Sequence, residues 1–132
     1  MIDVPLPDLA TGLIRLRDAR DRPAEEGAGI LAHVAELTAT VQNRGDALAD
    51  ETTTRFWVRG PDIDRELRAV YTPPVPPGEE VEVTALWDLR GRRGRYVITV
   101  TADAFSQTNE VRKDNNSSSI QVAVRDNHAE LT

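Results

Sequence analysis

The chain has 132 residues, 39% hydrophobic and 29% charged, with a formal net charge of −6, which describes one domain large enough to bury a core without staples. It contains no cysteine, so disulfides, thiolate catalysis and sulfur-ligated zinc are excluded. The acidic balance argues against a nucleic-acid surface, and no apolar run is long enough to span a membrane.

Residues 1–8 carry two prolines and little pattern and read as an extended arm. They lack the basic and apolar regions of a secretory signal, so either the protein is made without one or the chain is trimmed from a longer precursor; with no tag or scar visible, Met1 is the expected natural start. A first strand is predicted over 9–16, with Gly12 as a bulge, followed by a charged loop over 17–29. Over 30–42 helical and extended spacing compete. The Thr- and Val-rich second half decides for a strand, most firmly over 35–42, with Leu37, Ala39 and Val41 on one face. Asn43-Arg44-Gly45-Asp46 stops it; Gly45 is read as supplying positive φ, and Asn and Asp as bonding their own backbone.

Further strands are predicted over 50–60, 65–72, 79–89, 95–104 and 118–125, each with period-two alternation. Phe56 and Val58 oppose Arg55, Trp57 and Arg59. Leu67, Ala69 and Tyr71 oppose Arg68 and Val70, and TPPVPPG over 72–78 forbids further ladder pairing at its prolines. Val81, Val83, Ala85 and Trp87 share a face, as do Tyr96, Ile98, Val100 and Ala102, and then Ile120, Val122 and Val124. Residues 126–132 read as a tail. Seven strands with almost no helix define an all-β protein, with a seven-stranded antiparallel β-sandwich as the economical packing and the core over 9–125.

Three stretches carry a resemblance: TATVQNRGDA at 38–47, VPPGEEVEVTALWDL at 75–89 with GRYVITVTAD at 94–103, and DNNSSSIQVAV at 114–124. In order and spacing they resemble the CARDB family of bacterial cell-adhesion-related domains. The resemblance implies an immunoglobulin-like or fibronectin III-like sandwich, a non-enzymatic module of envelope or secreted proteins, and a tyrosine-corner role for Tyr96, reaching back to a loop carbonyl. Trp87, Gly45 and Asn116 join Tyr96 as expected structural residues. Lys113 departs from the pattern, standing where the family commonly has another acid.

The sequence offers few constellations for chemistry. Asp103, Asn109, Glu110 and Asp114 hold oxygen ligands that suit calcium, but Arg112 and Lys113 oppose a cation, and turn hydrogen bonds by Asn115 and Asn116 account for the same residues. Asp62, Asp64 and Glu66 read as a hairpin end. Arg90, Arg92, Arg93 and Arg95 concentrate positive charge at one tip. A solvated turn explains them, and the competing reading is contact with an acidic partner or with a second copy carrying Glu25, Glu26 and Asp46. Trp57 is either covered by the 17–29 loop or an exposed contact residue. His33 and His128 are isolated and no catalytic motif is present, so no enzyme is expected.

These readings describe a module that docks on a larger protein assembly, or on further copies of itself, without inserting in a membrane. With Met1 as the native start the setting is a virion surface, as a phage capsid decoration protein; otherwise it is a bacterial cell surface. The alternative is a calcium-dependent glycan-binding accessory domain of a secreted hydrolase.

Overall fold

A computed structural model describes residues 6–18, 34–103, 116–125 and 128–132. Among these, every regular element is a strand: β1 (Leu9–Asp18), β2 (Val34–Asn43), β3 (Thr52–Arg59), β4 (Asp64–Thr72), β5 (Glu80–Asp88), β6 (Gly94–Thr101), β7 (Ser117–Arg125) and β8 (His128–Leu131). A three-stranded sheet in the order β1-β2-β5 faces a five-stranded sheet in the order β4-β3-β6-β7-β8, and all pairs are antiparallel. Part of 126–132, expected as a tail, therefore supplies an eighth strand. Its four residues pair with Val122 to Arg125, and Ala129 packs against the core.

Alternation builds the core as the sequence predicts. Leu37, Ala39 and Val41 of β2 are buried, as are Val83, Ala85 and Trp87 of β5 and Tyr96, Ile98 and Val100 of β6. Phe56 and Val58 of β3 and Val122 and Val124 of β7, on either side of β6, complete the core. The Trp87 and Tyr96 rings meet edge to face, 5.3 Å between centroids, a geometry favoured by their quadrupoles.

Two edge strands depart from strict alternation. In β1 the register shifts between Thr11 and Ile14, which is the bulge expected at Gly12, and it turns Leu13 outward. In β4 the partners of Phe56 and Trp57 are Arg68 and Glu66, so Leu67 is an extra residue. Leu67 and Val70 consequently both pack inward, whereas Ala69 and Tyr71, grouped with Leu67 by the sequence pattern, are exposed.

The strands define two ends. The lower end gathers residues 6–8, the turn after β2, the 73–79 connection and the start of β7. The upper end gathers the β3–β4 turn, the β5–β6 connection that crosses from one sheet to the other, and Arg125. At the lower end Asn43 is buried with all four side-chain hydrogen-bonding positions filled. Its Nδ2 donates to the carbonyls of Ala47 (2.7 Å) and Val75 (2.8 Å), and its Oδ1 accepts from the N–H of Asp8 (3.1 Å) and Gly45 (2.9 Å).

Gly45 has a different role from the one its sequence suggests. The positive-φ glycines are Gly78, Gly91 and Gly94, and Gly45 is not among them. A Cβ on Gly45 would stand 2.2 Å from the Leu6 carbonyl oxygen, so the position demands glycine because the N-terminal segment crosses it.

Candidate interaction surfaces

The upper end is organised by Tyr96. Its ring is buried against Gly60, where a Cβ would come within 2.1 Å of Cδ2, and its hydroxyl emerges beside the β3–β4 turn. That hydroxyl donates to Asp62 Oδ1 at 3.1 Å and accepts from the Arg93 N–H at 3.2 Å, while the Arg93 carbonyl lies at 3.4 Å. The expected reach to a loop carbonyl is thus the longer contact, and a carboxylate is the nearer acceptor. Arg92 Nη1 donates to the other Asp62 oxygen at 2.7 Å. Desolvation pushes the Asp62 carboxyl upward, but the hydrogen bonds from Arg92 and Tyr96 and the Arg92 charge outweigh it and hold it below its ordinary value.

Of the four arginines singled out in the sequence, two are engaged locally. Arg90 grips Asp88 two residues away (2.8 Å), and Arg92 holds Asp62. The side chains of Arg93 and Arg95 form no ion pair among the described residues. Pairing of β6 with β7 brings Arg125 beside them, around a shallow groove of about 480 Å³ floored by Gly94, Ala123 and Val124. Sequence reasoning missed Arg125 because only strand register places it there. Of the second-copy acids, Glu25 and Glu26 lie outside the described residues, and Asp46 lies at the opposite end.

The outer face of the five-stranded sheet carries Trp57, half-buried on the side away from Phe56 and Val58. Its Nε1–H donates to Asp64 Oδ1 at 2.7 Å, and the Arg55 guanidinium sits 5.8 Å from its ring centroid. Arg55 pairs with Glu66 (3.0 Å) and Arg59 with Asp64 (3.6 Å), so the acids read as a hairpin end fix the tryptophan and its flanking cations. The cross-strand hydroxyl pairs Thr99–Ser119 and Thr101–Ser117 continue the face. Arg55, Trp57, Arg59, Val97, Thr99 and Thr101 line a shallow depression of about 360 Å³.

At the lower end Asp103 is buried with φ of 48°, and Asn116 donates to the Ala102 carbonyl at 3.4 Å, fourteen residues back and just past the end of β6. Asn109, Glu110 and Asp114 lie outside the described residues. Among the described residues no three His, Cys, Asp or Glu side chains converge as a metal site.

Two antiparallel sheets over one core, with the Tyr96 corner between them, define an immunoglobulin-like β-sandwich domain. The chain belongs to the CARDB family, whose profile matches residues 6–120. Its fold is similar to that of a CARDB domain from Pyrococcus furiosus, solved in complex with di-metal ions, at 23% identity and a TM-score of 0.67, covering 91% of this chain and 90% of that one. A domain of a protein assigned to the cell surface in Methanosarcina acetivorans gives 19% identity and a TM-score of 0.68, covering 92% and 94%. A β-glucosidase from Thermotoga neapolitana contains a similar domain, with 12% identity and a TM-score of 0.60 over 95% of this chain and 16% of the enzyme. A search of curated proteins gave no match.

Proposed function

We propose that this chain is a non-catalytic docking module of surface-exposed proteins that holds a protein partner on the outer face of the five-stranded sheet. The observation that carries this reading is Trp57, an aromatic kept at the surface and locked in place by Asp64 and Arg55. Aromatic and arginine side chains dominate the energetics of protein interfaces, and a ring already fixed loses little entropy on binding. The charges flanking the ring are mutually paired, so Trp57 sits in a locally neutral, hydroxyl-rimmed depression.

Of the settings expected from the sequence, the cell surface is supported by the Methanosarcina relative, whereas capsid decoration draws on no described residue. The test is co-sedimentation with cell envelopes of the producing organism. The chain pellets with them, Trp57→Ala does not, and protease treatment of the envelopes abolishes binding. Binding that is unaffected by Trp57→Ala, or that survives protease and is lost to glycosidases, overturns the reading.

The di-metal ions of the Pyrococcus relative favour a second reading, calcium at the lower end with Asp103 among the ligands. A calcium-dependent rise in Tm is its signature, because a ligand bound only by the folded state stabilises it. An unchanged Tm in calcium removes the metal and, with it, calcium-dependent glycan binding.

A further inference from the structure

Among the described residues, charge is separated along the strands. At the upper end Asp62, Asp64 and Asp88 are each paired with an arginine, leaving Arg93, Arg95 and Arg125 exposed and without an ion pair among the described residues. At the lower end the exposed acids are Asp46, Asp50, Glu51, Glu79 and Glu80. The nearby cation, Arg44, donates to the Gln42 amide oxygen instead of a carboxylate. Asp46, Asp50 and Glu79 have no ion pair among the described residues.

These two ends cannot neutralise each other within one molecule. Strands of eight to ten residues at about 3.3 Å per residue separate them by roughly 25–30 Å, several times the ~8 Å over which charges act at physiological ionic strength. Between molecules the geometry is different, because the upper end of one copy is opposite in sign to the lower end of the next and can be brought against it. We infer that the domain associates head to tail, the arginine groove of one copy seating the acidic 43–51 turn and 79–80 corner of another.

Such a contact is heterologous and leaves a free end on each copy, so it propagates into linear arrays and does not close at a dimer. Leu48, 50% exposed within the acidic turn, adds apolar area to the charged contact. Exposed ion pairs are individually weak, so the association is salt-sensitive and grows with local concentration, as on a crowded surface. Arg95 stands at the upper end of the sheet face that carries Trp57, but the groove and the Trp57 depression share no lining residue.

Sedimentation velocity on the full chain tests it. At about 20 mM salt the weight-average sedimentation coefficient rises with protein concentration, and at about 500 mM salt the rise disappears. The triple variant Arg93→Glu, Arg95→Glu, Arg125→Glu stays monomeric, as does Asp46→Arg, Asp50→Arg, Glu79→Arg, with circular dichroism confirming that both are folded. Mixing the two restores association, because each now presents at both ends the sign the other lacks. A wild-type chain that is monomeric at low salt and high concentration overturns the inference, as does association that persists in either triple variant. A monomeric wild type that instead binds heparin through its arginines also overturns it, in favour of a polyanion site. Trp57→Ala leaves self-association intact and the arginine variant leaves envelope binding intact, so failure of one interaction does not carry the other with it.

Discussion

At the scale of single residues, two polar side chains do more than their sequence context suggests. Asn43 ties together three backbone segments at the lower end, residues 6–8, the turn after β2 and Val75, and removing it leaves the Asp8 and Gly45 N–H groups and the Ala47 carbonyl without that partner. Orphaned buried groups cost about 1–3 kcal/mol each where water cannot reach them. Asn43→Ala is accordingly expected to lower stability by roughly 3 kcal/mol in urea unfolding, far more than an average surface asparagine. Tyr96 adds a pH dependence. Burial pushes its phenol up and the hydrogen bond to Asp62 pushes it further, so the folded state keeps its proton where the unfolded phenol, near 10.0, has begun to lose it. The stability gained is complete below that value and falls as pH rises past it. Tyr96→Phe should cost about 1 kcal/mol at neutral pH and flatten the loss of stability above about pH 10, measured by denaturant unfolding at both. Asp62 works in the opposite direction. Its lowered carboxyl contributes above the ordinary carboxylate range, and the contribution disappears as pH falls through the lowered value.

At the scale of elements, the sequence was legible wherever a strand is paired on both sides. β2, β3 and β6 alternate without interruption inward, because each residue's face is fixed by two neighbours. Among the edges β5 was legible and β1 nearly so, but β4 and β8 resisted reading. Leu67 shifts the register of β4 by one residue, and no local signal separates LRAVYT with a bulge from LRAVYT without one. β8 is four residues of mixed polarity whose identity as a strand depends on β7 offering an unpaired edge, a tertiary fact. Removing residues 126–132 uncovers that edge and the flank of Val122 and Val124. We expect the truncated chain to fold with a lowered Tm and a raised tendency to aggregate, checked by calorimetry and light scattering. Gly45 was found by its motif but for the wrong reason, since close approach by Leu6 depends on a segment far away in sequence. Gly45→Ala should therefore release residues 6–8 from the turn, seen as a gain in hydrogen exchange at the Asp46 N–H, which donates to the Leu6 carbonyl.

At the scale of the whole molecule, the fold was legible and the surfaces only in part. Periodicity and the CARDB resemblance gave the sandwich, and alternation placed Trp57 outward. What alternation cannot give is which charges remain after folding. Four neighbouring arginines looked equivalent in the sequence, yet Asp88 and Asp62 occupy two of them, and Arg125 joins the others from a strand thirty residues on. The separation of sign between the two ends emerges only when antiparallel pairing has sorted each turn to its side of the slab. It is a property of the topology as much as of the composition.

The sandwich has four strand margins, and each is obstructed. β1 and β4 are kinked by their bulges, β5 displays Glu80, Glu82 and Asp88, and β8 is too short to template a neighbour. Lateral annealing of one sheet onto another, the route to amyloid, is therefore closed on every side, and dense packing of many copies remains reversible. Prolonged incubation at high concentration should leave thioflavin T dark, whereas deletion of Leu67, which straightens the β4 margin, should bring fluorescence that dilution does not reverse.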